Sequence, residues 1–152
     1  MKKLLLSVLC VLSLVALAAC GNGGTKSFDA DGFKAKAVED GLVGMSKEMD
    51  DEYIKTSYFD IKSISESVVV VRNMISPGGQ EIAIIKPNEG KTNDAKELIN
   101  KRKEYGLKEQ AFYPNEQELF ESSEVVEAGG YLIYICNGQV EETKKLIDKF
   151  MK

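Results

Sequence analysis

Short apolar runs alternate with helical patterns along the chain after its first 27 residues. Val68–Val71 and Ile82–Ile85 are continuous apolar runs of strand length, and they predict two buried strands. Pro77-Gly78-Gly79 lies between the runs and is typical of a turn, so the pair is predicted to form a hairpin. A helix follows from Thr92 or Asp94, and it either ends at Gly106 or continues towards Phe112. The residues predicted on its apolar face are Ala95, Leu98, Ile99, Arg102 and Tyr105.

The same order of elements returns near the end of the chain. Val125-Val126 predicts a short strand, Gly129-Gly130 a tight turn and Tyr131–Ile135 another strand. Asn137 is a predicted cap for a last helix. The apolar side of that helix carries Val140, Thr143, Ile147 and Phe150. The pattern predicts an α+β fold whose four-stranded, mainly antiparallel sheet is built from two β-β-α units, with both C-terminal helices on one face.

A helical segment is predicted before the first strand. Asp29 or Asp31 can cap one helix, and a second short helix starts near Asp50. Both faces of the sheet need cover, because the strand Tyr131–Ile135 is apolar on both of its sides. We expect the segment Phe28–Phe59 to pack over the second face. The alternative is a partly open face that meets a partner or another copy.

The first twenty residues have the organisation of an export signal. Met1–Lys3 is positively charged, and the apolar run Leu4–Ala19 is too short to cross a bilayer comfortably as a permanent helix. Leu17–Cys20 resembles the lipobox of bacterial lipoproteins, in which the cysteine receives a diacylglyceryl group and the preceding peptide is removed. The alternative is an ordinary secretory signal that is cut after an Ala-x-Ala-like site. The predicted organisation is a signal peptide at 1–19, a lipidated cysteine with a flexible tether at 20–27, and one domain at 28–152.

A lipidated Cys20 would hold the protein at the outer face of the cell membrane. A single acyl chain gives only reversible attachment, whereas the two or three chains of a lipoprotein hold stably. The glycine-rich tether that follows reaches about 15 Å, so the domain would stay close to the membrane surface. The membrane is therefore the first predicted partner, through the covalent lipid.

Charge and composition argue against nucleic-acid binding, an intramolecular disulfide and histidine-dependent catalysis. The formal charge is −4, and removal of Lys2 and Lys3 with the signal makes it more negative, which argues against nucleic acid as a partner. Cys10 leaves with the signal and Cys20 takes the lipid, so Cys136 has no cysteine left with which to form an intramolecular disulfide. The chain has no histidine, which removes the Ser-His-Asp and Cys-His arrangements of nucleophilic catalysis.

The remaining motifs do not amount to a catalytic, cofactor or metal site. Gly90-Lys91-Thr92 lacks the earlier glycine of a phosphate-binding loop, and Asp29–Gly32 lacks the flanking acids of a calcium loop. Acidic residues that could serve a carboxylate-dependent hydrolase are Glu48, Asp50, Asp51, Glu52, Glu116, Glu118, Glu121, Glu124 and Glu127. We therefore expect no catalytic residue, no cofactor and no metal, and a small cell-envelope hydrolase is the alternative.

Several segments together resemble a known bacterial family. They are the lipobox and tether, the hairpin of Val68–Val71 with Glu81–Ile84, and a charged helix. The segments that follow are Gln110, Tyr113-Pro114, Glu118 and Gly130-Tyr131-Leu132. This set is similar to the small bacterial lipoproteins grouped as domain of unknown function 4358. The resemblance implies no activity, ligand or catalytic residue, and it carries over only the lipidated cysteine at Cys20. We expect a non-catalytic binding or accessory module whose partner is an unidentified envelope protein or ligand.

Overall fold

The computed structural model describes residues 26–75 and 79–152. The signal peptide, Cys20, the tether up to residue 25, and Pro77-Gly78 of the predicted turn lie outside the described residues. In chain order the elements are α1 (Ala30–Glu39), β1 (Ser46–Glu48), α2 (Asp51–Tyr58), a 3-10 helix (Ile61–Ile64), β2 (Ser65–Asn73), β3 (Glu81–Pro87), α3 (Thr92–Glu109), α4 (Pro114–Glu121), β4 (Glu124–Ala128), β5 (Tyr131–Cys136) and α5 (Val140–Lys149).

One sheet organises the described part of the chain, and its strand order is β1-β2-β3-β5-β4 with antiparallel neighbours throughout. The α+β class and both β-β-α units are confirmed. The predicted number of four strands is wrong, since β1 adds a fifth beside β2. β1 is missed because Ser46–Glu48 has no alternation of apolar and polar residues that would predict a strand. It pairs with the last three residues of β2, Val71–Asn73.

The two sides of the sheet are covered by different helices. Val71, Ile82, Ile84, Ile133 and Ile135 face α1 and α5, and we call this side the α1–α5 face. Val70, Ala83, Ile85, Leu132, Tyr134 and Cys136 face α2, α3 and α4, and we call this side the α2–α3 face. The expectation that both C-terminal helices share one face is therefore wrong. The central strands are apolar on both sides, and each face is covered by one N-terminal and one C-terminal helix, with α4 added on the α2–α3 face.

Local signals fix the starts of several helices. Asp29 accepts a hydrogen bond from the Gly32 N–H at 3.0 Å, and Asp50 accepts one from the Tyr53 N–H at 2.9 Å. Helix α3 continues through Gly106 to Glu109, which agrees with the predicted continuation towards Phe112 and not with an end at Gly106. The extra helix α4 begins with a proline in its first turn, a position where the missing proline N–H costs nothing.

The two ends of the described chain meet beside the β4–β5 turn. The Ser27 N–H donates to the Lys152 carbonyl at 3.0 Å, and the Lys152 N–H donates back to the Ser27 carbonyl at 2.7 Å. Phe28 forms a bridge with Met151, and the backbone of Phe28 lies so close to Gly129 that a Cβ there would come within 2.5 Å of the Phe28 nitrogen. This contact fixes the point at which the preceding segment enters the domain.

Candidate functional site

A fully buried carboxylate lies at the start of β3, on the α2–α3 face. Glu81 has no exposed surface, and its Oε1 lies 2.9 Å from Nε of the equally buried Arg102. The Tyr58 hydroxyl donates to Oε1 at 2.7 Å, and the Tyr53 hydroxyl donates to Oε2 at 2.6 Å. A buried carboxylate is stable in a protein interior only when it is paired and hydrogen-bonded, and these three side chains supply the pairing and the hydrogen bonds.

Arg102 is surrounded by aromatic rings as well as by the carboxylate. Its guanidinium carbon lies 5.7 Å from the Tyr58 ring centre and 5.3 Å from the Phe120 ring centre. Nη2 donates to Gln110 Oε1 at 3.0 Å, while Nη1 is buried without a hydrogen-bond partner among the described residues. Burial is the largest single effect and lowers the pKa of Arg102, but the charge of Glu81, the two tyrosines and the hydrogen bond to Glu81 together outweigh it, so the net direction is upward.

The two tyrosines that donate to Glu81 remain protonated. Burial, followed by the negative charge of Glu81, raises the pKa of Tyr53 to about 12. The same two causes raise the pKa of the completely buried Tyr58 well above its ordinary value. Arg72 lies over the Tyr53 ring at 5.1 Å, and its Nε is 4.0 Å from Glu81 Oε2. Both oxygens of the Glu81 carboxylate have donors, and neither oxygen faces solvent. The side chains of this cluster come from β2, β3, α2 and α3, so the cluster connects these four elements.

The sequence contains part of the signal for this cluster. Arg102 falls on the predicted apolar face of α3 together with Ala95 and Ile99, and the structure buries all three. Glu81 was missed because one acid before an apolar strand is indistinguishable from a solvated turn residue. The side-chain alternation of β3 places Glu81 on the same face as Ala83 and Ile85, and this was the available clue.

The predicted acidic residues are distributed over several separate contacts. Asp51 pairs with Lys62 at 2.7 Å, and Glu124 pairs with Lys144 at 2.6 Å. Glu127 pairs with Lys96. The carboxylate of buried Glu116 accepts hydrogen bonds from the backbone N–H groups of Phe112 at 2.9 Å and Tyr113 at 3.1 Å. These contacts are ion pairs and helix caps.

Three of the predicted acidic residues border different openings of the surface. Asp51 borders one with Lys55 and Lys62, Glu48 borders another with Lys34, and Glu118 borders a third with Leu119 and Gly138. Within residues 26–75 and 79–152, no three acidic or cysteine side chains come together in a way that could hold a metal ion.

The other motifs have local structural roles. Lys91 precedes the first turn of α3, where its Nζ pairs with Asp94 at 2.8 Å. Cys136 is buried at the end of β5, and burial raises the pKa of its thiol to about 12. A thiol with so little thiolate at neutral pH is a poor nucleophile.

The predicted lipidation site, Cys20, lies outside the described residues. In the part of the chain that the structure describes, none of the helices has the length and apolar character needed to cross a membrane.

Comparison with known proteins identifies one family. The family described as Domain of unknown function (DUF4358) matches residues 39–137. No curated protein sequence matches the chain. No solved structure matches it either. The matched range contains all strands of the described sheet and helices α2, α3 and α4, while α5 and all but the last residue of α1 lie outside it. Because this match covers more than half of the chain, the protein belongs to the family Domain of unknown function (DUF4358).

Proposed function

We propose that the protein is a lipoprotein of the bacterial cell envelope, anchored at the outer face of the membrane through lipid on Cys20, and that it serves as a non-catalytic binding or accessory module. The observation that carries this proposal is Leu17-Ala18-Ala19-Cys20, in which Cys20 follows directly on the apolar run Leu4–Ala19. A cysteine at the end of such a run is the acceptor of the lipobox pattern.

The entry point of the chain supports a domain that stands close to its anchor. Ser27 is fixed to Lys152 by two backbone hydrogen bonds, and six residues separate it from Cys20. A tether of this length reaches about 15 Å. The acidic domain needs this covalent link, because a negatively charged protein is repelled by anionic headgroups.

The arrangement of charged side chains supports a binding role over catalysis. Glu81 is enclosed by Tyr53, Tyr58 and Arg102. Of the predicted acids near the start of α2, Asp50 caps the helix and Asp51 forms an ion pair with Lys62. A carboxylate hydrolase needs two carboxyl groups on either side of one scissile bond, within about 10 Å of each other in a cleft. Asp51, Glu48 and Glu118 border three different openings. Asp60 shares the opening of Asp51, but Lys55 and Lys62 line it as well, and Lys62 is the ion-pair partner of Asp51.

Replacement of Cys20 by alanine tests the anchor. In cells fed a radiolabelled fatty acid, the native chain is expected to carry label and to sediment with membranes. Cys20→Ala is expected to lose the label and to leave the membrane pellet, because its thioether cannot form. Cys136→Ala is the matched control and should keep both properties, since its thiol is buried. Recovery of the native chain in the culture fluid without acyl groups would contradict the proposal.

The binding role is tested by crosslinking in intact cells followed by mass spectrometry. The native chain is expected to crosslink to the same envelope protein in repeated experiments. Cys20→Ala is expected to lose this product, because release from the membrane dilutes the chain relative to an envelope partner. Release of defined fragments from envelope polymers by the purified chain, with loss on replacement of a predicted acid, would instead favour the hydrolase.

A further inference from the structure

Three neighbouring cavities follow helix α1 along the α1–α5 face of the sheet. The first has a volume of about 210 Å³ and is bordered by Ala30, Val69 and Ile84. The last has a volume of about 260 Å³ and is bordered by Val38 and Val71. A small enclosed cavity of about 10 Å³ shares Ile84 with the first, and Val38 and Val71 with the last, so it connects the two. The three form one line, which we call the α1 groove.

The floor of the α1 groove consists of aliphatic side chains. Val69 pairs with Ile84, and Val71 pairs with Ile82, across β2 and β3. All four side chains belong to the α1–α5 face. Val38, at the other side of the groove, is apolar and yet 44% exposed. The groove therefore offers apolar contacts to a ligand along its whole length.

Lys34 borders all three cavities and divides the groove. Its Nζ lies 3.0 Å from Glu48 Oε2, and the two side chains are 28% and 55% exposed. An ion pair with this exposure contributes little to stability, and the methylene stem of a lysine is itself apolar. The Lys34 side chain can therefore swing into water at little cost and join the three cavities.

The charges beside the groove are mixed. Asp31 borders the first cavity and Glu48 borders the last, while Lys34 borders both. A charged ligand of either sign would meet a side chain of its own sign, whereas an uncharged hydrocarbon chain meets no repulsion. The groove is therefore better suited to a neutral alkyl chain than to a charged peptide or headgroup.

The dimensions of the groove agree with those of one acyl chain. Helix α1 advances about 12 Å between Ala30 and Val38. The acyl chain of a membrane lipid crosses one leaflet, which is half of the hydrocarbon core or about 15 Å. The two larger cavities together fall within the range of about 300–1,000 Å³ that is usual for small-molecule sites.

One end of the groove lies where the preceding segment enters the domain. Ser27 is fixed there by backbone hydrogen bonds, and Ala30, three residues later, borders the first cavity. The ring of Phe28 lies 5.6 Å from the ring of Tyr131, which borders the same cavity. Six residues separate Ser27 from Cys20, and a tether of this length reaches about 15 Å. A lipid on Cys20 is therefore within reach of the groove.

We propose that the α1 groove binds one acyl chain of the lipid on Cys20 while the protein is outside the bilayer. This inference rests on the proposed lipid anchor and gives that anchor a second site within the same molecule. The short tether supplies the chain at high local concentration, and the groove removes apolar surface from water. A bilayer surrounds an acyl chain with hydrocarbon on all sides, so the chain returns to the membrane when one is present.

Photocrosslinking of the native lipidated chain tests the proposal. Cells are fed a fatty acid that carries a photoreactive diazirine, and the labelled chain is purified, freed of detergent at low concentration and irradiated. Peptide mass spectrometry is expected to find the acyl chain joined to α1 or β2 of the same molecule. Irradiation in lipid vesicles is expected to give about tenfold less of this product, because the bilayer then holds the chain.

A variant that fills the groove provides a second measurement. Ser67 is exposed on β2 and borders the first cavity, and tryptophan is well tolerated in strands. Ser67→Trp should lower the yield of the product with α1 about tenfold, because the ring occupies space that the acyl chain needs. Ser63→Trp is the matched control, since this exposed serine borders a different opening, and its yield should stay within about twofold of the native yield.

A photoreactive monoacylglycerol, which is uncharged, distinguishes the source of the chain. It is expected to label the groove of Cys20→Ala about fivefold more than that of the native chain, because the native groove already holds its own acyl chain. Equal labelling of both would identify a diffusible lipid as the occupant and overturn the proposal. Crosslinks that join two molecules would identify the acyl chain of a second copy and would also overturn it.

Failure of this inference is distinguishable from failure of the proposed anchor. Acyl label on Cys20 without a crosslink to α1 or β2 in detergent-free buffer overturns the groove assignment and leaves the anchor intact. Equal crosslinking of Ser67→Trp and Ser63→Trp has the same meaning. Absence of acyl label from the native chain overturns the anchor, and this inference with it.

Discussion

Replacement of Glu81 by alanine is expected to lower the free energy of unfolding by about 3–5 kcal/mol, because it leaves the buried Arg102 without its counter-charge. The hydroxyls of Tyr53 and Tyr58 lose their acceptor in the same step, which adds to the loss. Urea unfolding followed by circular dichroism measures the change.

A surface acid provides the matched control for Glu81. Glu66 pairs with Lys86 at 2.5 Å, but both side chains are well exposed, so Glu66→Ala should cost less than about 1 kcal/mol. The double substitution Glu81→Met with Arg102→Met should recover much of the loss, since it removes both buried charges together. If Glu81→Ala unfolds within about 1 kcal/mol of the native chain, the cluster does not stabilise the fold as described.

Phe120→Ala is expected to destabilise the protein by about 3–5 kcal/mol. The ring is fully buried, lies over Arg102, and packs against Gly106 of α3 so closely that a Cβ at Gly106 would be 2.2 Å from a ring carbon. Gly106→Ala alone should therefore cost about 1–3 kcal/mol, despite the better helix propensity of alanine.

The two substitutions should compensate each other in part. In the Phe120→Ala chain, the added methyl of Gly106→Ala enters the vacated space, so the double variant should be more stable than the sum of the single effects predicts. Asn100→Ala, at an exposed position of the same helix, isolates helix propensity and should be neutral or slightly stabilising. Additive losses in the double variant would show that the ring does not set the space available at residue 106.

The apolar runs and turns were sufficient to predict most of the sheet. Val68–Val71 and Tyr131–Ile135 lie within β2 and β5, because a short β-branched or aromatic run has few alternatives to a buried strand. β1 could not be predicted in this way, since Ser46–Glu48 pairs through its backbone alone and its side chains have no strand pattern.

The helix α4 was missed although its signals are present. A residue before proline favours an extended backbone, and the backbone of Tyr113 is extended, but Pro114 also opens the first turn of a helix. Glu116 is the acid three residues after the cap that completes this start signal.

The sequence pattern indicates one member of the buried ion pair but not the other. The sequence places Arg102 on an apolar helix face, which indicates a buried charge, but it does not identify the counter-ion. Glu81 and Arg102 are distant in sequence and meet only because β3 and α3 lie in adjacent layers.

The pairing of Ser27 with Lys152 determines how the domain responds to mechanical load. Tension in the preceding segment acts first at Ser27, at the terminus of a short two-stranded contact. Its hydrogen bonds, followed by the one between the Asp29 N–H and the Phe150 carbonyl, would open one after another. The central strands would remain unloaded until α1 had detached, so this contact would yield to force before the sheet does.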